Sequence, residues 1–308
     1  MRAPTGEQYE LTRRTAAGQA RAFITQVAAG LRHYSVGGID LTEPFAVDST
    51  PPSGNGIVLV PWPNRVKDGR WELNGRSQQL ALTEPDLDNA IHGLLRYAPY
   101  TLVARSDDAV TLAATVFPQA GYPFLIDTSV RYELVEDGLT VTHTLTNVGT
   151  ADAPVAVGTH PYFTIGDVPT EDLTLTLNAA THFTVDDRLN VIDEHPVDGT
   201  EFDLRAGRRV GDLHLDDGWG SVAIVNGRSQ QTLTAPDGRT VSMWADKHFG
   251  YVQVYTSRAL KSLPAGQLAV AIEPMTAPTN ALNSGRDLKW LAPGKTWSVA
   301  WGVQHTGL

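Results

Sequence analysis

The stretch DTSVRYELVEDGLTVTHTLTNVG, residues 127–149, decides the fold class. Two β-type runs flank Glu136-Asp137-Gly138, residues that favour a tight reversal, so the segment reads as a β-hairpin. The same grammar extends in both directions. GRWELNGRSQQLAL (69–82) places Asn74-Gly75 between strand-like flanks, and YTLVARSDDAVTLAATV (100–116) turns at Asp107-Asp108. Downstream, DLTLTLNAATHFTVD (172–186), SVAIVNGRSQQTLTAPDGRTVSMWAD (221–246), YVQVYT (251–256), QLAVAIEPM (267–275) and KTWSVAWGVQHTG (295–307) continue the pattern. Short strands separated by turn signals imply an all-β sandwich or barrel. A short helical turn is expected only around Asp86 to Leu95. The hexapeptide NGRSQQ occurs at 74–79 and again at 226–231, and reads as two similar hairpin turns rather than a duplication. No Pro/Gly/Ser linker or charge block interrupts the succession, so residues 1–308 are expected to form a single domain.

Composition narrows what such a protein can do. With 308 residues, 42% of them hydrophobic and 19% charged, the chain can bury a large core. A formal charge of -10 gives no general attraction for nucleic acid or anionic lipid, which favour clustered Lys and Arg. The absence of cysteine removes disulfides, a thiolate nucleophile and Cys-ligated metals. MRAPTGEQYELTRRTAAGQA at the start lacks the apolar core of a signal peptide. No apolar run approaches the roughly 18 residues of a membrane span, so no membrane partner and a cytoplasmic location are expected. GNGIVL (54–59) lacks the third glycine of a dinucleotide loop, and there is no Gly-x-Ser-x-Gly elbow or Walker lysine. The nine histidines include no His-x-His or His-Glu-x-x-His pair, so no metal and no cofactor is expected.

What remains are polar residues placed where strand physics would not choose them. Glu273 ends QLAVAIEPM, where five consecutive apolar residues, Leu268 to Ile272, indicate a strand buried on both faces and Pro274 interferes with ladder pairing. A carboxylate there must be paired, protonated or used; the bland alternative is a rim residue bonded to a turn. His160 in AVGTHPYF (156–163) has the same context, an apolar run followed by proline, with Tyr162 and Phe163 able to wall a pocket. It is either a buried structural histidine or a proton donor, and a Glu and a His converging from strand ends suit acid–base catalysis. VPWPNRVKDGRW (60–71) presents Trp62, Asn64 and Arg65 close together. The indole could stack on a sugar while the amide and guanidinium bond its hydroxyls; equally, Trp62 could be core and Arg65 a surface ion pair. His92 in DNAIHG precedes a glycine in an expected loop.

Taken in order, these segments resemble the aldose 1-epimerase (galactose mutarotase) family, in a series spanning almost the whole chain. PNR at 63–65 is similar to that family's Asn-Arg segment, IHG at 91–93 to its Leu-His-Gly, THPYF at 159–163 to its His-Pro-Tyr-Phe or His-Thr-Tyr-Phe, and AIEPMTAPTNA to its Glu-Pro segment. The resemblance implies one large antiparallel β-sandwich with a cleft on a curved sheet. It implies that His160 protonates the ring oxygen of a sugar, that Glu273 removes the anomeric hydroxyl proton, and that Arg65 and His92 hold substrate oxygens. LDDGW (215–219) aligns with the family's Leu-Asp-His-x-Phe, which makes Asp216 the substrate-facing aspartate, although the usual histidine is here Asp217 and the aromatic Trp219. YVQVYT resembles the segment that carries a substrate-facing glutamine, here Gln253.

The implied activity is interconversion of the α and β anomers of a hexose by acid–base ring opening and closure, starting from an ionised Glu273 and a protonated His160. Rival readings are a glycosidase or lyase, which would want two opposed carboxylates such as Asp216 and Glu273, and a noncatalytic sugar-binding or sensor protein. A mutarotase of a phosphorylated or sulfonated hexose is a further alternative. The small-molecule partner that the resemblance implies is a sugar; the sequence leaves oligomeric state open.

Overall fold

A computed structural model describes residues 2–308, and it is built almost entirely of antiparallel strands. The hairpin at 127–149 forms as expected: Ile126–Val135 pairs with Gly138–Asn147 from Val135 opposite Gly138 through to Ile126 opposite Asn147. Ile126, Val130, Tyr132, Leu134, Leu139, Val141 and Leu145 are buried on one face, while their neighbours in sequence face outward. Gly138 proves to be a strand residue rather than part of the reversal. A Cβ there would lie 1.8 Å from the Val303 carbonyl oxygen of the next strand, so only glycine permits that approach.

Among the described residues two large sheets dominate. The nine-stranded sheet runs, edge to edge, through Thr101–Arg105, Ala109–Val116, Ile126–Val135, Gly138–Asn147, Thr296–Thr306, Thr240–Asp246, Arg228–Thr234, Thr174–Leu177 and Arg208–Arg209. The eight-stranded sheet runs through Val191–Pro196, Ala179–Val185, Asp216–Val222, Tyr251–Ser257, Ala269–Met275, Gly158–Thr159 and Val58–Leu59, with Tyr162–Phe163 alongside Ala269–Met275. Tyr132, Val141 and Val303 of the first sheet share one core with Val252, Val254, Val270 and Ile272 of the second. This is a β-sandwich. Both NGRSQQ copies are two-residue turns with left-handed Asn and Gly, Asn74-Gly75 between Leu73 and Arg76 and Asn226-Gly227 between Val225 and Arg228.

The segment Asp86 to Leu95 departs from its expected helical turn. A 3-10 turn covers only Pro85–Leu87; Asp88 is left-handed, and Asn89–Ile91 then pairs with Arg65–Lys67. Backbone hydrogen bonds between Glu84 and Asn89 close the loop on itself, which leaves no room for a helix to propagate.

Candidate active site

Strand alternation explains how Glu273 comes to be buried on the sheet face turned away from the main core. Side chains on a strand point alternately to the two faces, so Val252, Val254, Val270 and Ile272 enter the core while Gln253 and Glu273 point the other way. Gln253 lies directly opposite Glu273 across one strand pair and opposite Gly218 across the next, and Asp216 follows Gly218 on the same face. Gln253 Nε2 donates to Asp216 Oδ1 at 2.8 Å. Gly218 makes that reach feasible, since a Cβ there would sit 3.0 Å from Gln253 Oε1 and 3.1 Å from the Phe183 ring.

Pro274 does not interrupt its strand. Val252 lies opposite it, and the N–H groups of Ile272 and Thr276 bond outward to the carbonyls of Pro161 and Val157. The missing N–H of Pro274 therefore falls between those two bonds, where the neighbouring strand breaks into Gly158–Thr159 and Tyr162–Phe163. His160 occupies the break, its backbone tied to Gly56 and Ile57. Its Nε2 lies 3.3 Å from Glu273 Oε1; the side chains are 8% and 2% exposed. Tyr162 stacks on the His160 ring at 5.3 Å, and His92 meets it edge-on at 5.4 Å.

Arg65 and His92 arrive together. Asn64 and His92 both have left-handed backbones, and the His92 N–H bonds to the Asn64 carbonyl at the end of the small sheet formed by Arg65–Lys67 and Asn89–Ile91. Gly93 is required next, because a Cβ there would be 2.1 Å from the Val60 carbonyl oxygen. Arg65 donates to Asp216 Oδ2 at 3.4 Å, and to both carboxylate oxygens of Glu84 at 2.9 and 3.0 Å.

Six of the expected residues thus converge: His160, Glu273, Arg65, His92, Asp216 and Gln253. The other two are placed differently. Trp62 is a core residue, 2% exposed, with its ring 6.0 Å from Tyr122, so its indole is not available as a sugar platform. Asn64 shapes the turn, its side-chain oxygen accepting the Arg65 N–H at 2.8 Å. The choice between the two aspartates is settled by alternation: Asp216 joins the cluster, whereas Asp217 points away and pairs with His182 at 2.8 Å. Glu84 is the member that sequence reasoning missed; its one outward sign is a Glu-Pro dipeptide like that at 273–274.

Burial governs the electrostatics. It pushes the Glu273 carboxyl well above the usual carboxylate range, with the Asp216 charge adding to the effect and Arg65 opposing it. Burial pulls the His160 imidazole down to about 4, partly offset by its own backbone amide and reinforced by Arg65. Burial likewise lowers His92 well below the ordinary histidine value, helped by the charges of His160, Arg65 and Arg96. The expected ionised Glu273 and protonated His160 run against these directions, which favour a carboxylic acid beside a neutral imidazole. Glu273 Oε2 and His92 Nδ1 are buried atoms without a hydrogen-bond partner on the protein, so the cluster offers unsatisfied polar atoms. Among the described residues no group of three His, Asp or Glu side chains is arranged to hold a metal ion.

Comparison with known proteins gives this chain its relatives. Residues 14–303 match the aldose 1-epimerase family. The chain belongs to the aldose 1-epimerase family. It is 33% identical over 282 residues to the uncharacterised protein YihR of Escherichia coli, a match covering 91% of this chain and 88% of that protein. The fold is that of the galactose mutarotase-like sandwiches. A GalM/aldose epimerase homologue from C. elegans superposes with a TM-score of 0.83 at 17% identity, covering 98% of this chain and 100% of that one. A galactose 1-epimerase from Lactobacillus acidophilus gives 0.77 at 19% identity, covering 97% and 94%. Membership of the aldose 1-epimerase family makes an isomerase acting on a small sugar the coarse functional assignment.

Proposed function

We propose that the protein is a mutarotase that interconverts the anomers of a hexose, with Glu273 and His160 as its proton-transfer pair. One observation carries the reading: a carboxyl and an imidazole 3.3 Å apart, both buried, in a cluster with Arg65, His92, Gln253 and Asp216. Ring opening requires the O1–H proton to leave as C1=O forms, while the C1–O5 bond breaks and O5 takes up a proton. Rotation about C1–C2 and closure on the other face then reverse both transfers. No electrons are exchanged and no covalent intermediate is needed.

The pair supplies this if it carries one proton in total. Carboxylic acid with neutral imidazole and carboxylate with imidazolium hold that same proton, differing only by its transfer across the 3.3 Å contact. The second form takes the O1 proton on Glu273 and gives one to O5 from His160. Arg65 and Gln253 bond hydroxyls and hold C1 and O5 within reach. A noncatalytic sugar sensor would use Arg65 and His92 without needing the His160–Glu273 pair.

NMR exchange spectroscopy on neutral, phosphorylated and sulfonated aldoses tests the reading directly. Wild type should accelerate anomer exchange, and Glu273→Gln should lower the rate by about 10² to 10⁴ while sugar binding persists. Full activity in that variant, or no acceleration by wild type, refutes it. The panel includes charged sugars because of one feature. A cavity of about 770 Å³ lies between residues 44–53 and 259–262, and Lys261 is the charged side chain on its wall. Gly54 joins this rim to the site, since a Cβ there would be 3.8 Å from the His160 ring. This favours, as a second reading, a hexose bearing a phosphate or sulfonate.

A further inference from the structure

Glu84 has no place in the chemistry above, yet it makes the most complete contact in the cluster. Both its carboxylate oxygens accept from Arg65, one from Nε at 2.9 Å and one from an Nη at 3.0 Å, a planar fork that fixes the guanidinium in orientation as well as position. The Arg65 side chain is 9% exposed and that of Glu84 is 21%, so the ion pair sits largely out of water and each partner strongly fixes the other. Glu84 is itself held: Asn89 Nδ2 donates to it at 3.3 Å and to the Arg188 carbonyl at 3.0 Å, while the Arg188 side chain donates to the carbonyls of Leu87 and Asp88. The loop from Glu84 to Asn89 is thereby clamped to the turn at Asp186–Asn190 and presents one carboxylate to one guanidinium.

We propose that Glu84 is the positioning residue of this site, fixing the direction in which Arg65 meets the sugar and neutralising the charge that Arg65 would otherwise impose on the proton-transfer pair. The charged and titratable groups around Glu273 and His160 include Arg65 from the small sheet, Asp216 from the strand beyond Gln253, Tyr162 beside His160 with Tyr255 against it, and His92 with Arg96 behind it. Arg65 and Asp216 push Glu273 in opposite directions. Burial, with Asp216 adding to it, holds the proton on Glu273, and the fork between Glu84 and Arg65 weakens the one opposing charge. With Glu84 neutral, the unopposed charge of Arg65 would let Glu273 ionise at lower pH, so that the pair loses its proton sooner as pH rises. The role rests on the mutarotase reading, but the electrostatic effect can be measured without it.

The experiment compares wild type, Glu84→Gln and Glu84→Asp by two readouts. The first is the pH dependence of kcat and KM for anomer exchange on whichever aldose the wild type accelerates. Glu84→Gln should lower kcat/KM about 10- to 100-fold, mostly through KM, and move the alkaline limb to lower pH. Glu84→Asp, which keeps the charge, should restore the position of that limb. The second readout is a carboxyl ¹³C titration of Glu273 without any sugar, whose midpoint should move to lower pH in Glu84→Gln alone. An unchanged midpoint and pH profile overturns the proposal, and so does lost activity with an unmoved limb, which marks a purely structural residue. If wild type accelerates no sugar, the functional reading fails while the carboxyl titration still decides the electrostatic claim.

Discussion

Glu273 stands in a place that stability alone would give to a neutral residue. Its carboxyl holds a proton more tightly in the folded chain than in the unfolded one, so the unfolded state releases that proton first as pH rises. Folding stability therefore falls between the ordinary carboxylate value of 4.5 and the raised folded value. Glu273→Gln keeps the shape and removes this cost. Its Tm should exceed that of wild type by about 2 °C near neutral pH, with the gap closing as pH falls below the unfolded value, even as activity is lost. A Tm below wild type at neutral pH, read by calorimetry, contradicts the assignment. The pair also fixes the pH profile. Below about 4, His160 takes a second proton and the pair has no base; above the raised value of Glu273 the pair is empty and has no acid. Thus kcat/KM should stay level through pH 6.5, the ordinary histidine value, and fall only well beyond it. A decline centred on 6.5 would mean that His160 titrates as an ordinary surface histidine. Sequence alone singled out both residues because each sits at an apolar run that ends in proline. It could not reveal their resting protonation, which depends on how much of the surrounding space the fold closes. Glu84 escaped for a different reason: its carboxylate matters only through an arginine 19 positions away, and nothing local in Thr83-Glu84-Pro85 announces that partner.

The strands carrying the site work by alternation, and that is why they were readable. Five apolar residues before Glu273 mean two buried faces, and the structure divides them between the core and the packing around Tyr162. Period-two alternation also explains why Asp216 and not Asp217 reaches Arg65, once the register against Tyr251–Ser257 is known. Register itself is a product of tertiary pairing, so LDDGW left the matter open. The same limit applies to Trp62: Pro61 and Pro63 stiffen the segment in sequence, but only packing against Tyr122 directs the indole inward. Gly218 gives the element-scale test. An added methyl must displace Gln253 or Phe183, so Gly218→Ala should break the Gln253–Asp216 bond and raise KM about 3- to 10-fold with a smaller change in kcat. Unaltered KM in exchange measurements would show that Gln253 does not help hold the sugar.

At the scale of the whole molecule, the absence of linkers led to the expectation of one domain, and the main core contains residues as far apart as Tyr9 and Val303. We therefore expect one cooperative transition in denaturant, with coincident near-UV and far-UV circular dichroism curves. Two separated transitions would show that the chain divides. The hairpin grammar was legible because each turn is local, from Asn74-Gly75 to Asn226-Gly227. The order of strands across each sheet was not, because it depends on pairings between distant segments. Thr296–Thr306 illustrates this: it inserts between Gly138–Asn147 and Thr240–Asp246, so that Thr144 meets Ser298 across 154 residues of chain. During synthesis the exposed edge of Gly138–Asn147 must wait for that partner to emerge. At about 5–20 residues per second the wait is on the order of 10 s. A nascent chain with a bare, β-prone edge for that long is open to pairing with its neighbours on the same message. The demand this protein makes on a cell's chaperones is thus set less by its finished stability than by the interval before its central strand arrives.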